Sequence, residues 1–341
     1  MADERALFDL VRGLVEIESI TFAEAPAIDF MEHVLVDLAK RHAGTVERIP
    51  VEPERDNLLA TFGDTPRITL TTHLDTVPPF VPFREDADNL WGRGSCDAKG
   101  IAACMVKAVE AALADGATDL GLMFVVGEER NSAGAKRMAG VDRGCRYLIN
   151  GEPTSNRLAL GSKGVLRHEI SAAGKMAHSA YPELGDSATA KLIRALDRLL
   201  DAPLPSHDIL GPSTLNIGTI QGGRAPNVIA DHAMAEVLTR LVDDAEPVRD
   251  IICRAVEPEA EAVEVLHIPA VHLGSLPGYE TCIVAYTTDI PAFGPNWGTP
   301  FLVGPGTIHV AHTEYEHIAK HELIEAVEVY RQLIHDLGER R

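Results

Sequence analysis

The sequence predicts an α/β protein, a layered α/β domain interrupted by a smaller inserted α+β domain. Three observations carry this. In the first half, short uninterrupted apolar runs alternate with segments of helical period. A β-α-β-β-α-β order follows, after which the chain returns to strand-like and helical pieces. With 341 residues, 45% of them hydrophobic, the chain can bury more than one core. Aromatics are sparse at 5%, while 28 glycines and 21 prolines supply many turns, which favours α/β layers over a helical bundle.

The elements follow in order. Leu7, Leu10, Val11, Leu14 and Val15 recur at helical spacing and predict a helix over residues 3–20. A second helix is predicted from Pro26 to Arg41, with Gly44 just beyond as a stop signal. Arg67–His73, Leu120–Val126 and Arg146–Asn150 read as buried strands, with an Ala- and Val-rich helix at Lys99–Ala114 between the first two. Strand, helix, strand in that order predicts a right-handed parallel unit. The inserted module comprises a strand at Lys163–Ala173, a helix at Asp186–Asp201, strands at Ser213–Ile220 and Asp231–Val242, a helix at Pro247–Val256 and a strand at Ala262–Ile268. This is the order of a ferredoxin-like split βαβ sandwich. Ile283–Tyr286 and Pro300–Val303 look like strands, and Ile318–Leu337 is an amphipathic helix. The domains are thus expected at residues 1–160 with 275–341, and at 161–274.

A net charge of −20 repels phosphate backbones and anionic lipid, so nucleic acid and membrane are not expected partners. The five cysteines, Cys96, Cys104, Cys145, Cys253 and Cys282, are odd in number and scattered, which argues against a disulfide framework or a structural zinc knuckle. The acidic start MADERALFDL lacks the pattern of a signal peptide, and no run of about 18 apolar residues occurs. A cytoplasmic location is expected.

Groups able to do chemistry cluster just past the strands, where open α/β sheets place their sites. His73-Leu74-Asp75 closes the first strand. Alone it reads far more readily as a hydrogen-bonded structural histidine than as a ligand oriented by a carboxylate. Asp97 lies in the turn Gly92-Arg93-Gly94-Ser95-Cys96-Asp97 ahead of a helix. It suits a helix cap or a carboxylate bridging two cations, and Cys96 reads as a small buried residue. Glu128-Glu129 follows a buried strand, where two adjacent acids repel unless they are solvated or a metal separates their roles. Glu152, before Pro153, is either a turn residue or a further carboxylate at the same edge. His309, His312 and His317 fall within nine residues near the C-terminus. Jointly these residues supply what two divalent ions about 3.5–4 Å apart need, with one Glu left as a base.

The motifs HLDTVP, GRGSCDAKG, GEER, NGEPT and GPG…AHTEYEH, in this order across nearly the whole chain, resemble the M20 metallopeptidase and amidohydrolase family. That family includes acetylornithine deacetylase, succinyl-diaminopimelate desuccinylase, aminoacylases and carboxypeptidases. The resemblance implies that Asp97 bridges two metals, that His73 and Glu152 complete one site, and that Glu129 and His312 complete the other. It also implies Glu128 as general base and Asp75 as the carboxylate behind His73. His312 is chosen over its neighbours because the family ligand stands four residues before a Glu, here Glu316. The inserted domain resembles the family's lid and dimerisation domain. There His178, in GKMAHS, would reach the partner subunit's site in a homodimer and hold the oxyanion. Asn227, in GGRAPN, and Arg240 would contact substrate. Departures from the family pattern are Ala98 in place of a second acid, and Thr-Glu-Tyr-Glu-His in the tail.

The expected reaction is hydrolysis of the amide of a small N-acyl amino acid by a water between two divalent ions, by default zinc, with cobalt or manganese as substitutes. The resemblance points most sharply to N-acetylornithine deacetylation in amino-acid biosynthesis, a reading helped by Tyr286-Thr287-Thr288-Asp289. Arg240 and the backbone of Gly304–Gly306 would then hold the substrate carboxylate. The rivals are a dipeptidase or carboxypeptidase with the same site, a carrier-protein lysine hydrolase, and a non-catalytic binding protein on the same fold.

Overall fold

A computed structural model describes residues 2–340. The chain divides into two compact units, residues 1–160 with 273–282 and 288–341, and residues 161–272 with 283–287.

The first unit is built on a six-stranded sheet, in the order Thr45–Glu52, Arg55–Phe62, Leu120–Val125, Ile68–His73, Tyr147–Asn150, Thr299–Leu302. The last four run parallel, and the first two form an antiparallel hairpin on one edge. Ile68–His73 and Leu120–Val125 are buried at every position, as parallel strands covered on both faces must be. Alternation sorts their side chains. Leu120, Leu122 and Phe124 face one core with the helices Ala2–Val15, Ala25–Arg41, Lys99–Ala114 and Lys320–Gly338. Met123 and Val125 face another core, with Met138, Phe293 and Trp297 from short helices on the opposite side. Because the central strands are parallel, His73, Gly127–Glu129, Gly151-Glu152 and Val303-Gly304 all emerge at one edge. Gly151 is required there, since a Cβ would lie 2.4 Å from Ile101 Cγ2 of the covering helix.

The second unit carries an antiparallel sheet in the order Thr214–Gly222, His232–Leu241, Gly164–Ala173, Glu261–Ile268. Helices Ala188–Leu200 and Glu246–Val256 pack on it through Leu192, Leu196, Leu199, Val248 and Ile252. This is the split βαβ order expected.

Some expectations shift. The first helix ends at Val15, because Ser19 and Thr21 turn their hydroxyls onto Leu74 O (2.7 Å) and the Asp75 carboxylate (2.8 Å). The strand expected at Ile283–Tyr286 lies at Thr281–Val284, and the last helix starts at Lys320. The hairpin Thr45–Phe62 is not anticipated, since the apolar residues of its outer strand, Val46, Ile49, Pro50 and Val51, keep no strict alternation and only Ile49 is buried.

The hairpin is tied inward by a buried ion pair. Arg55 Nε and Nη2 donate to Glu24 Oε2 (3.0 Å) and Oε1 (2.5 Å). The Phe22 ring centroid lies 4.8 Å from its guanidinium carbon. Removing Glu24 leaves the buried guanidinium with only Glu52, 2.5 Å from Nη1 and well exposed, as a carboxylate partner. Glu24→Ala is therefore expected to lower unfolding stability by about 3–5 kcal/mol in urea titrations. A loss under about 1 kcal/mol would show the pair to be a surface-like contact.

Candidate active site

His73, the last residue of its strand, is 1% exposed. Its Nδ1 donates to the backbone oxygen of Asp75 at 2.9 Å. The neutral ring then presents the lone pair of Nε2 to Asp97 Oδ1, 3.1 Å away. Two acceptors at that separation need a proton or a cation between them. Burial pulls the imidazole pKa down, but Asp75 and Asp97 outweigh it and raise it well above its ordinary value.

Asp75 does more than orient His73. Its Oδ1 accepts the N–H groups of Gly127 (3.0 Å) and Glu128 (3.1 Å), and its Oδ2 accepts the N–H of Glu129 (3.2 Å) and the Thr21 hydroxyl. One buried carboxylate thus shapes the loop that presents both adjacent acids. Burial favours its protonation, yet His73, Thr21 and the loop amides hold it below the usual carboxylate range.

Asp97 does not cap the following helix, where Ala98 occupies the cap position and follows a cis peptide bond. Its two oxygens point instead at two imidazoles, His73 and His312, the latter at 3.4 Å. Against burial, these bonds depress its pKa. His312 Nε2 is also 3.1 Å from both carboxylate oxygens of Glu129. His309 is exposed, and His317 stacks on Trp91 with centroids 4.3 Å apart. Of the three clustered histidines, His312 is the one placed against the acids.

Ligand atoms of His73, Asp97 and Glu129 lie within 4.8 Å of one another, close enough to share one metal ion. Glu152 is 4% exposed, and its Oε1 has no hydrogen-bond partner. Burial, then the charge of Asp97, raises its pKa well above the ordinary value. Glu128 is raised likewise, by burial and then by Glu152. This much confined negative charge, with an orphaned acceptor among it, suits divalent cations. Asp289, fully buried, has its carboxyl pushed up to about 6, burial first. The sequence marks it only as part of a branch-specific segment, because nothing local reveals that it turns inward. The Gly304 amide donates to Thr154 Oγ1 at 3.1 Å, so it is not free to hold a substrate carboxylate as expected.

In the second unit, His178 is exposed, with Nδ1 accepting the Ala180 amide at 3.1 Å. Ser179 N donates to Asn227 O at 3.0 Å, which puts His178 and Asn227 on adjoining segments. Arg240 lies on the strand His232–Leu241, opposite Thr214 and Val165. It is half-buried, with no ion-pair partner among the described residues, and burial lowers its pKa.

The comparisons with known proteins agree with the fold. Residues 69–336 match the family model of peptidase family M20/M25/M40. An M20 domain-containing peptidase of Schizosaccharomyces pombe is 38% identical, with 96% of this chain and 84% of that one covered. A protein named a probable carboxypeptidase in Aspergillus terreus is also 38% identical, over 95% of this chain and 84% of its own. Among solved structures, aminopeptidase PepT of Bacillus cereus superposes with a TM-score of 0.82 at 20% identity, covering 98% and 99% of the two chains. A Bacillus subtilis protein described as a dinuclear metal binding peptidase of the M20 family gives 0.74 at 17% identity, covering 100% and 99%. At these identities the structural likeness is one of fold. The chain is a hydrolase by kinship. It belongs to the M20/M25/M40 peptidase family.

The pairing of His312 with two acids predicts a pH dependence. The bonds from Asp97 and Glu129 raise His312 from 6.5 to about 10. A group whose pKa rises on folding stabilises the fold below its unfolded value and loses that contribution as pH climbs through the folded one. Metal-free protein should therefore lose urea resistance between about pH 6.5 and 10. His312→Ala should flatten that slope, and an unchanged slope would refute the pairing.

Proposed function

We propose that the chain hydrolyses the amide bond of a small peptide or N-acylated amino acid bearing a free carboxylate, using two divalent ions. The observation that carries this is the convergence of His73, Asp97 and Glu129 donors within 4.8 Å beside Glu128. His73 and Glu152 would hold one ion, Glu129 and His312 the other, and Asp97 both. Bound ions supply Lewis acidity, which polarises the scissile carbonyl and acidifies water at neutral pH. Glu128 then takes the proton from the attacking water on its carboxylate and returns it to the leaving nitrogen. Its raised pKa, from burial and Glu152, suits both halves of that transfer. Asp75 keeps Glu128 and Glu129 apart through the amides it accepts. Arg240 would pair with the substrate carboxylate, since its guanidinium is half-buried and otherwise unmatched. Asn227 would contact substrate. His178 of a partner subunit would donate to the oxygen that gains negative charge, which makes a homodimer part of the proposal.

Relatives named as carboxypeptidases favour a peptide amide over the N-acetylornithine that the motifs suggest most sharply. No helix is long and apolar enough to cross a membrane among the described residues.

Glu128→Gln should cut kcat by about 10²–10⁴-fold while bound metal, read by elemental analysis, is retained. Unchanged turnover would remove the base assignment. A panel of dipeptides, their C-terminal amides and N-acetylornithine should show preference for the free carboxylate. Arg240→Ala should raise KM for those substrates about 10- to 100-fold and leave the amides untouched. Equal effects on both sets would count against a carboxylate contact.

A further inference from the structure

Asp97 and His312 lie 215 positions apart in sequence, yet must meet at fixed spacing if the metal reading above holds. Glu316 joins their two segments. It is 1% exposed. Its Oε1 accepts the backbone N–H groups of Gly94 (2.9 Å), Cys96 (3.2 Å) and Asp97 (3.1 Å). Its Oε2 receives the Arg93 guanidinium, whose Nε donates to Pro79 O at 3.2 Å. Its own carbonyl accepts the Gly92 amide at 3.0 Å. Glu316 thus takes the amides of Gly92, Gly94, Cys96 and Asp97, while Arg93 N bonds to Val81 O (3.0 Å) and Ser95 N to Gly92 O (3.1 Å).

His312 sits four residues earlier in a closed turn, at φ 63°. Thr313 Oγ1 donates to Val310 O at 2.7 Å and accepts the Tyr315 amide at 3.2 Å. These bonds close the chain from Val310 to Tyr315, directly ahead of Glu316. An ion pair with Arg93 needs only one carboxylate oxygen, so pairing alone does not account for the other. That other oxygen gathers three amides of the turn that ends at Asp97. It does so beside a second acid, where a carboxylate is electrostatically unfavourable.

We propose that Glu316 is a positioning residue that sets the separation of Asp97 and His312, and thereby the affinity of the site for divalent ions. The inference rests on the metal reading given above. Partners behind metal ligands typically contribute 10- to 100-fold to affinity.

The test uses the full chain stripped of metal, with Zn²⁺ competed against a chromophoric chelator. Unfolding midpoints are measured in parallel. Glu316→Ala should weaken Zn²⁺ binding about 10- to 100-fold below its unfolding midpoint. Glu316→Gln keeps an acceptor for the amides but faces Arg93 with an NH₂ group, so its affinity should fall between wild type and Glu316→Ala. Leu38→Ala, a cavity in the helical core, should lower the midpoint and leave Zn²⁺ affinity at the wild-type value. Wild-type affinity in folded Glu316 variants would overturn the proposal, as would an equal loss in Leu38→Ala. If Glu316→Ala does not fold, Glu316→Gln decides, and unchanged affinity there overturns the proposal. A wild-type chain that binds no Zn²⁺ would overturn the metal reading and this proposal together. Tight wild-type binding with indifferent Glu316 variants would remove only the role of Glu316.

Discussion

Mutual repulsion among buried acids is the constraint that the rest of the structure answers. Asp75, Asp97, Glu152 and Asp289 are buried at or near one sheet edge, with Glu128 and Glu129 partly exposed beside them. Left to themselves such groups would protonate or turn to water. Parallel strands, a covering helix and close-fitting glycines deny them the room to move. The two imidazoles at the centre, His73 and His312, offset part of the charge when protonated, which the surrounding acids favour.

The scaffold answers the repulsion with more acid, differently used. Asp75 accepts the amides of residues 127–129, and Glu316 those of residues 94, 96 and 97. In both cases a carboxylate fixes a loop whose own carboxylate stays available. A carboxylate accepts several N–H groups at once and carries the charge that strengthens each bond. An apolar residue could fill the space at either position, but it would leave three amides unpaired in a dry interior.

Much of the fold was legible in the sequence because the central strands are buried on both faces and so read as unbroken apolar runs. Lys99–Ala114 was found to the residue, and the inserted module kept its order. The edge hairpin at residues 45–62 escaped because its exposed strand has no apolar period. Of the candidate site residues, His73, Asp97, the Glu128–Glu129 pair and Glu152 stood out jointly, by their places beside strand ends, while each alone read as an ordinary structural residue. The choice of His312 over its neighbours needed motif resemblance, since turns carry little periodic signal. The loop-holding work of Asp75 and Glu316 was not visible, because it depends on which amides face them after folding. Asp289 stayed hidden for the same reason.

The family match begins at residue 69, but the edge where the acids gather begins earlier. Thr21 completes the coordination of Asp75, Ser19 fastens the strand end, and Glu24 neutralises Arg55, whose Nη2 would lie 2.8 Å from a Cβ placed on Gly127. The turn between the two leading helices is thus masonry of the acidic edge rather than an ornamental porch. A fragment trimmed to the recognisable segment would keep every motif and lose the footing beneath the loop that carries Glu128 and Glu129.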